Sequence, residues 1–183
     1  MNAGRLAVGF IVVSALIFGA GFWYTAERAY YEPVVFQPGA EIKLVLLTSG
    51  KPEAIVANSV EGIDAESSPI KFRACFTTPL SLATLTETYQ DYPGAVPLIA
   101  PSGFDCFDAE AIEAALQSGE AVAFLSEPNI TYGVDRVVAV MGDGRGFAWH
   151  QINACGLEVF EGRPAPEGCP PMPEGSSLSE RTN

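Results

Sequence analysis

A chain of 183 residues that is 48% hydrophobic, with 14 prolines and 18 glycines, has the make-up of one loop-rich folded domain plus an apolar segment, and little room for a second core. Its formal net charge is -12 and every acidic residue lies beyond Tyr24, so nucleic acid is excluded as a natural partner because a phosphate backbone would be repelled. Only three of the ten basic residues are lysines, which together with the Ala, Gly and Pro content leans toward a bacterial chain.

Leu6 to Tyr24 reads LAVGFIVVSALIFGAGFWY, an uncharged run of 19 residues. As a helix it would be about 28 Å long, the thickness of a bilayer's hydrocarbon core. A cleaved signal peptide usually has a shorter apolar region and a small-x-small site. This run ends in Phe22, Trp23 and Tyr24, the aromatic belt of a membrane interface, so an uncleaved anchor touching the lipid bilayer through Leu6 to Tyr24 is the expectation. Arg5 precedes the run, whereas Glu27, Arg28 and Glu32 follow it; positive residues stay cytoplasmic, which puts the C-terminal domain outside. Ala15 and Gly19 could let another helix pack closely, though such pairs are common in apolar spans.

Residues 25–40 hold charges, tyrosines and prolines and read as a stalk. Glu41 to Thr48 is a strand candidate, and EAIVANSV and SPIKFRACF are two more, with an acidic, Ser-rich turn around Glu61 to Ser68 between them. Thr78 followed by Pro79 fits a helix start running to about Tyr89. Asp108 can cap AEAIEAALQS, whose Ile112, Ala115 and Leu116 form one stripe and whose Gly119 is a stop. Glu120 to Leu125 is strand-like, and RVVAVM and FAWHQIN flank GDGRG, a hairpin turn rather than a phosphate loop, since it lies between two strands and lacks Lys-Ser/Thr. The chain thus divides into a leader and anchor (1–24), the stalk, an α+β domain (41–170) with two short helices on a largely antiparallel sheet, and a Pro-, Gly- and Ser-rich tail (171–183) expected to be flexible.

All four cysteines, Cys75, Cys106, Cys155 and Cys169, fall in the domain, and an even number in an oxidising compartment is most simply two disulfides. Of the three pairings, Cys75 with Cys106 and Cys155 with Cys169 closes the shortest loops, each contributing about 3–4 kcal/mol in the chain-entropy model. Zinc is the alternative, but no CxxC occurs and the single histidine, His150, has no closely spaced second pair, so no metal or other cofactor is expected. Carboxylates gather at Asp105, Asp108, Glu110 and Glu113, where the first two suit capping and the others an exposed helix face.

WHQINACG is the richest stretch. On a strand His150 shares a face with Ala148 and Ile152, and Trp149 with Gln151 and Asn153. His150, Trp149 and Asn153 are therefore the candidate functional residues, and a half-buried His150 bonded to backbone is weighed against a ligand or general base. No GxSxG, HExxH, Rossmann or kinase signature occurs.

SPIKFRACFTTPLSL, FDCFDAEAIEAAL, YGVDRVVAV, WHQINACG and GCPPMP, between Ser68 and Pro171, resemble an uncharacterised family of small anchored proteins from the Rhodobacter and Paracoccus group of alphaproteobacteria. The resemblance implies a bacterial inner-membrane setting with a periplasmic domain; it supplies no activity. The expected function is a non-catalytic accessory or assembly component binding a membrane or periplasmic protein partner. The alternatives are a metal or redox accessory using His150 with a cysteine, and a small hydrolase or ligand-binding domain using His150 with Asn153 or Asp143.

Overall fold

The computed structural model describes residues 3–27 and 30–173; the tail from 174 to 183 lies outside the described residues. Helix α1 (Ala3–Glu27) is apolar all round, and its described side chains are exposed, with no part of the domain packed on them. Its stretch Ala3–Thr25 is long and apolar enough to cross a membrane, a property an anchor shares with a signal sequence.

The domain is α+β. In chain order it contains β1 (Glu32–Pro33), β2 (Lys43–Val45), β3 (Pro52–Ala54), β4 (Asn58–Asp64), β5 (Arg73–Thr77), α2 (Leu82–Thr88), α3 (Ala109–Ser118), β6 (Ala121–Thr131), β7 (Val134–Met141), β8 (Arg145–Ile152) and α4 (Ala154–Phe160). Six strands form one antiparallel sheet in the order β1-β4-β5-β8-β7-β6, and β2 pairs with β3 in a separate ribbon.

Both faces of the sheet are covered. On one, Phe72, Ala74, Phe76, Phe124, Val138 and Ala148 pack with Ile42, Leu44, Leu85 and Tyr89 from the ribbon and α2. On the other, Phe147, Trp149, Val137, Ala139 and Ala123 pack with Phe107, Ile112 and Ala115. Strands buried on two sides need apolar residues at successive positions, which is why β7 reads as an unbroken VVAVM run instead of alternating.

Several local expectations are corrected. The stalk segment is not free spacer throughout, because Glu32 pairs with Asp64 and Pro33 with Ile63, and proline is tolerated on such an edge. Glu61 to Asp64 belong to β4, so the following connection begins at Ala65. Helix α2 is capped by Ser81, whose hydroxyl accepts from the Thr84 amide; Thr78 instead donates to the Val56 carbonyl at 2.8 Å and so fixes the end of β5. Strand β6 runs past Leu125 through Pro128 to Thr131, again possible because it is an edge, with two register shifts and Asn129 at φ 49°. The domain has three helices where two were expected, since Asn153 caps α4.

Helix α3 lies where its capping signals place it. The Asp108 carboxylate accepts from the amides of Glu110 and Ala111, Gly119 closes the helix at φ 80°, and Ile112 and Ala115 are buried. Replacing Asp108 by alanine leaves those amides to water and is expected to lower stability by about 1 kcal/mol. Urea unfolding measures this, and an unchanged midpoint would contradict the cap's role.

Candidate functional site

Strand β8 carries the candidate residues, and the pleat separates them. His150 faces the side of Phe72 and Ala148, while Trp149 and Gln151 face the side of Phe107. Trp149 is fully buried, edge-on to Phe107, with its indole N–H donated to Gln151 Oε1 at 3.3 Å. Gln151 also accepts from the Val96 amide and donates to the Gly94 carbonyl, pinning the 93–96 loop over the sheet. Trp149 is thus a core residue of this face, with no open edge for a ligand.

Asn153 lies past the end of β8. Its side-chain oxygen caps α4 through the Gly156 amide, and its amide group donates to Asp135 Oδ1 at 2.8 Å. The same carboxylate oxygen accepts from the Asn129 amide, and Asp135 Oδ2 accepts from the Tyr92 hydroxyl at 3.1 Å. Burial, then the Asp135 charge, raises the Tyr92 pKa and keeps that hydroxyl protonated as a donor. This group ties β7, the β6 end, α4 and the long loop together, and all of its polar atoms named here are spent on that.

His150 is 5% exposed and sits at the inner end of a charged chain. Lys43 donates to Glu127 Oε1 at 3.0 Å, Arg136 Nη1 donates to Glu127 Oε2 at 3.1 Å, and Arg136 Nε donates to His150 Nε2 at 3.1 Å. Because Nε2 accepts, the proton is assigned to Nδ1, which donates to the Pro69 carbonyl at 2.7 Å. Phe72 stacks on the imidazole, with ring centroids 4.7 Å apart, and lies 4.2 Å from the Arg136 guanidinium. Burial, followed by the Arg136 charge, lowers the His150 pKa from 6.5 to about 4, so the ring is neutral at physiological pH.

That geometry is unfavourable to both chemical readings of His150. Its only lone pair is engaged by Arg136, and neither a metal nor a substrate proton can use it without breaking that contact. Asp143, one suggested companion, lies in the β7–β8 turn at the opposite end of β8 and is paired with Arg145 at 2.7 Å. Asn153 is committed to Asp135 and the α4 cap. The three residues do not converge.

A fourth buried polar group had no place among the candidates. Arg73, at the start of β5, is 4% exposed, and its guanidinium donates to the carbonyls of Ile70, Phe72, Leu98 and Ile99. Phe107 lies 5.7 Å beneath it. A lone charge inside FRACF, like the pair in GVDRVVAV that supplies Asp135 and Arg136, is the sequence signal for these residues, since a charge within an apolar strand must find partners or unfold it.

The cysteines form two disulfides. Cys75 joins β5 to Cys106 in the segment before α3, with Cα atoms 6.3 Å apart, and Cys155 joins α4 to Cys169 at 5.8 Å. None of the four is free, so the cysteine of the metal reading would have to come from a reduced bond.

No curated protein and no solved structure matches the chain. A family model matches residues 42–170, which is the whole sheet domain apart from its first edge strand. By that match, over well more than half its length, the chain belongs to the Family of unknown function (DUF6446).

Proposed function

We propose that this is a single-pass membrane protein of the bacterial inner membrane whose periplasmic domain acts as a non-catalytic accessory or assembly component, docking onto a protein partner in the same membrane. The observation that carries the reading is the pairing of an apolar, wholly exposed α1 with a disulfide-linked domain that begins at Glu32, a few residues past the end of the helix. Such a helix needs lipid or another helix around it, and disulfides persist on the oxidising side of a membrane. Arg5 before the span and the acidic flank after it support a cytoplasmic N-terminus. The alphaproteobacterial setting follows the resemblance of the Ser68 to Pro171 motifs. The accessory role is supported by the engagement of Trp149, His150 and Asn153 in packing, ion-pair and capping contacts, which leaves no assembled acid, base or nucleophile among them.

Alkaline phosphatase fused after Asn183 is expected to be active in bacterial cells and a green fluorescent protein fusion at the same point dark. N-terminal sequencing of the membrane-bound protein is expected to retain Leu6 to Tyr24. The reverse reporter pattern, or a chain beginning beyond Tyr24, would overturn the anchor. Affinity purification from solubilised membranes tests the accessory role: a stoichiometric membrane-protein partner supports it, and a lone chain after mild crosslinking contradicts it.

A further inference from the structure

The two disulfides differ in their surroundings. Strand β4 pairs with β5 at Asn58↔Thr77 and resumes at Glu61↔Cys75, so Ser59 and Val60 stand against Phe76 alone. Continuing the first register would bring Val60 opposite Cys75; the bulge brings Glu61 there instead. It does so through Ser59 at φ 51°, a left-handed conformation that few residues other than glycine adopt. A Glu61 carboxylate oxygen, Cys75 Sγ and Cys106 Sγ consequently lie within 4.8 Å of one another. A cavity of about 330 Å³ opens beside them, walled by Ser59, Thr77, Arg145 and Phe147. Cys75 is 7% exposed, and Cys106 is the more exposed residue of the pair.

The first part of the loop that Cys106 ends is also held to the sheet by contacts other than this bond. Arg73 grips the carbonyls of Leu98 and Ile99, Gln151 grips Gly94 and Val96, and the Tyr92 amide and hydroxyl bond to Ala123 and Asp135. None of these contacts passes through the disulfide. An open cavity at the sulfurs and a loop that other contacts also hold let a disulfide be reached and reopened, while the Glu61 charge that the bulge sets beside it disfavours each thiolate and so slows the exchange.

We propose that Cys75–Cys106 is an exchange-active disulfide that takes two electrons from the dithiol of a partner protein. One partner thiolate attacks Cys106 Sγ, forming a mixed disulfide as the Cys75–Cys106 bond breaks and Cys75 leaves as a thiolate that takes up a proton. The partner's second thiolate attacks its own sulfur in the mixed disulfide, and Cys106 leaves and is protonated. The partner ends as a disulfide and this chain as a dithiol, with two electrons and two protons transferred. In the reverse direction Cys75 gives its proton to solvent and attacks the mixed disulfide as a thiolate, and the bond closes again as the partner thiolate leaves.

The test uses the purified full chain in detergent without denaturant, and so is independent of topology and of any membrane partner. Reduced thioredoxin serves as the protein dithiol; free thiols are then alkylated and each disulfide is quantified by peptide mapping. Cys75–Cys106 is expected to open at least about tenfold faster than Cys155–Cys169, with the circular dichroism of the domain unchanged. Glu61→Gln, an exposed position, removes the negative charge beside the sulfurs and is expected to keep the wild-type melting temperature and to be opened by thioredoxin about threefold faster. No opening by thioredoxin, both bonds opening together as the domain unfolds, or opening of Glu61→Gln no faster than wild type would each overturn the proposal.

Discussion

Replacing Arg73 by leucine is expected to destabilise the domain by about 3–5 kcal/mol. The guanidinium is 4% exposed, and its nitrogens reach the carbonyls of Leu98 and Ile70 at 2.8 Å, Phe72 at 2.6 Å and Ile99 at 3.2 Å. Burial lowers its pKa to about 10, with Tyr31 and Asp64 acting in the opposite direction, so it is a cation at any pH the protein meets. Leucine fills part of the space over Phe107 and satisfies none of the four oxygens. Each carbonyl left dry costs about 1–3 kcal/mol, and those in the 98–99 segment recover water only if the loop lifts from the sheet. The loss is therefore expected to come with early proteolytic cleavage between Pro93 and Phe104, a second readout that plain core damage does not produce. Arg73→Lys restores the charge but not the fork, and should recover only part of the stability. Urea unfolding within about 1 kcal/mol of wild type, with no new cleavage, would mean that the loop is held by other contacts.

What could be read in advance follows from how local each signal is. Helix α3 is announced by Asp108 and Gly119 at its own ends, and the β7–β8 hairpin by the GDGRG turn between two apolar runs. The alternation of β8 separates His150 from Trp149 for the same reason: a strand's pleat needs no knowledge of its neighbours. Helix α4 is different. ACGLEVF is short and holds a glycine, and its place depends on Gly156 lying against Gly133, where an added Cβ would stand 2.2 Å from the Gly133 oxygen, and on the Cys155–Cys169 bond. Asn153, read as a strand end with chemical possibilities, is thereby a cap. The ladder register was equally hidden. Nothing within WHQINACG says that Arg136 stands opposite His150, and nothing in ANSVEGID says that a bulge exchanges Val60 for Glu61 opposite Cys75. Sites made by cross-strand pairing appear only when the pairing does.

His150 supplies the last expected result, and its sign follows from the buried ring. Above pH 6.5 the imidazole is neutral in both the folded and the unfolded chain. As the pH falls from 6.5 toward the folded value of about 4, the unfolded chain binds a proton that the folded chain refuses, because protonation would desolvate a charge beside Arg136 and remove the acceptor of the Arg136 bond. Stability drops across that window by about 3 kcal/mol and loses nothing further from this group below it. His150→Gln can offer its amide to the Pro69 carbonyl or its oxygen to Arg136, but it has no ring to stack on Phe72, so at pH 8 it is expected to be about 1–2 kcal/mol less stable than wild type. It cannot titrate. By pH 4.5 the wild type has lost about 2–3 kcal/mol that the variant keeps, and the order of stability reverses. Carboxylates titrate in the same range, but they are common to both proteins, and the difference between the two urea midpoints isolates His150. A difference that stays constant from pH 8 to pH 4.5 would contradict the neutral, hydrogen-bonded imidazole. A variant as stable as wild type at every pH that lost bound metal or an activity would return His150 to the role of ligand or base.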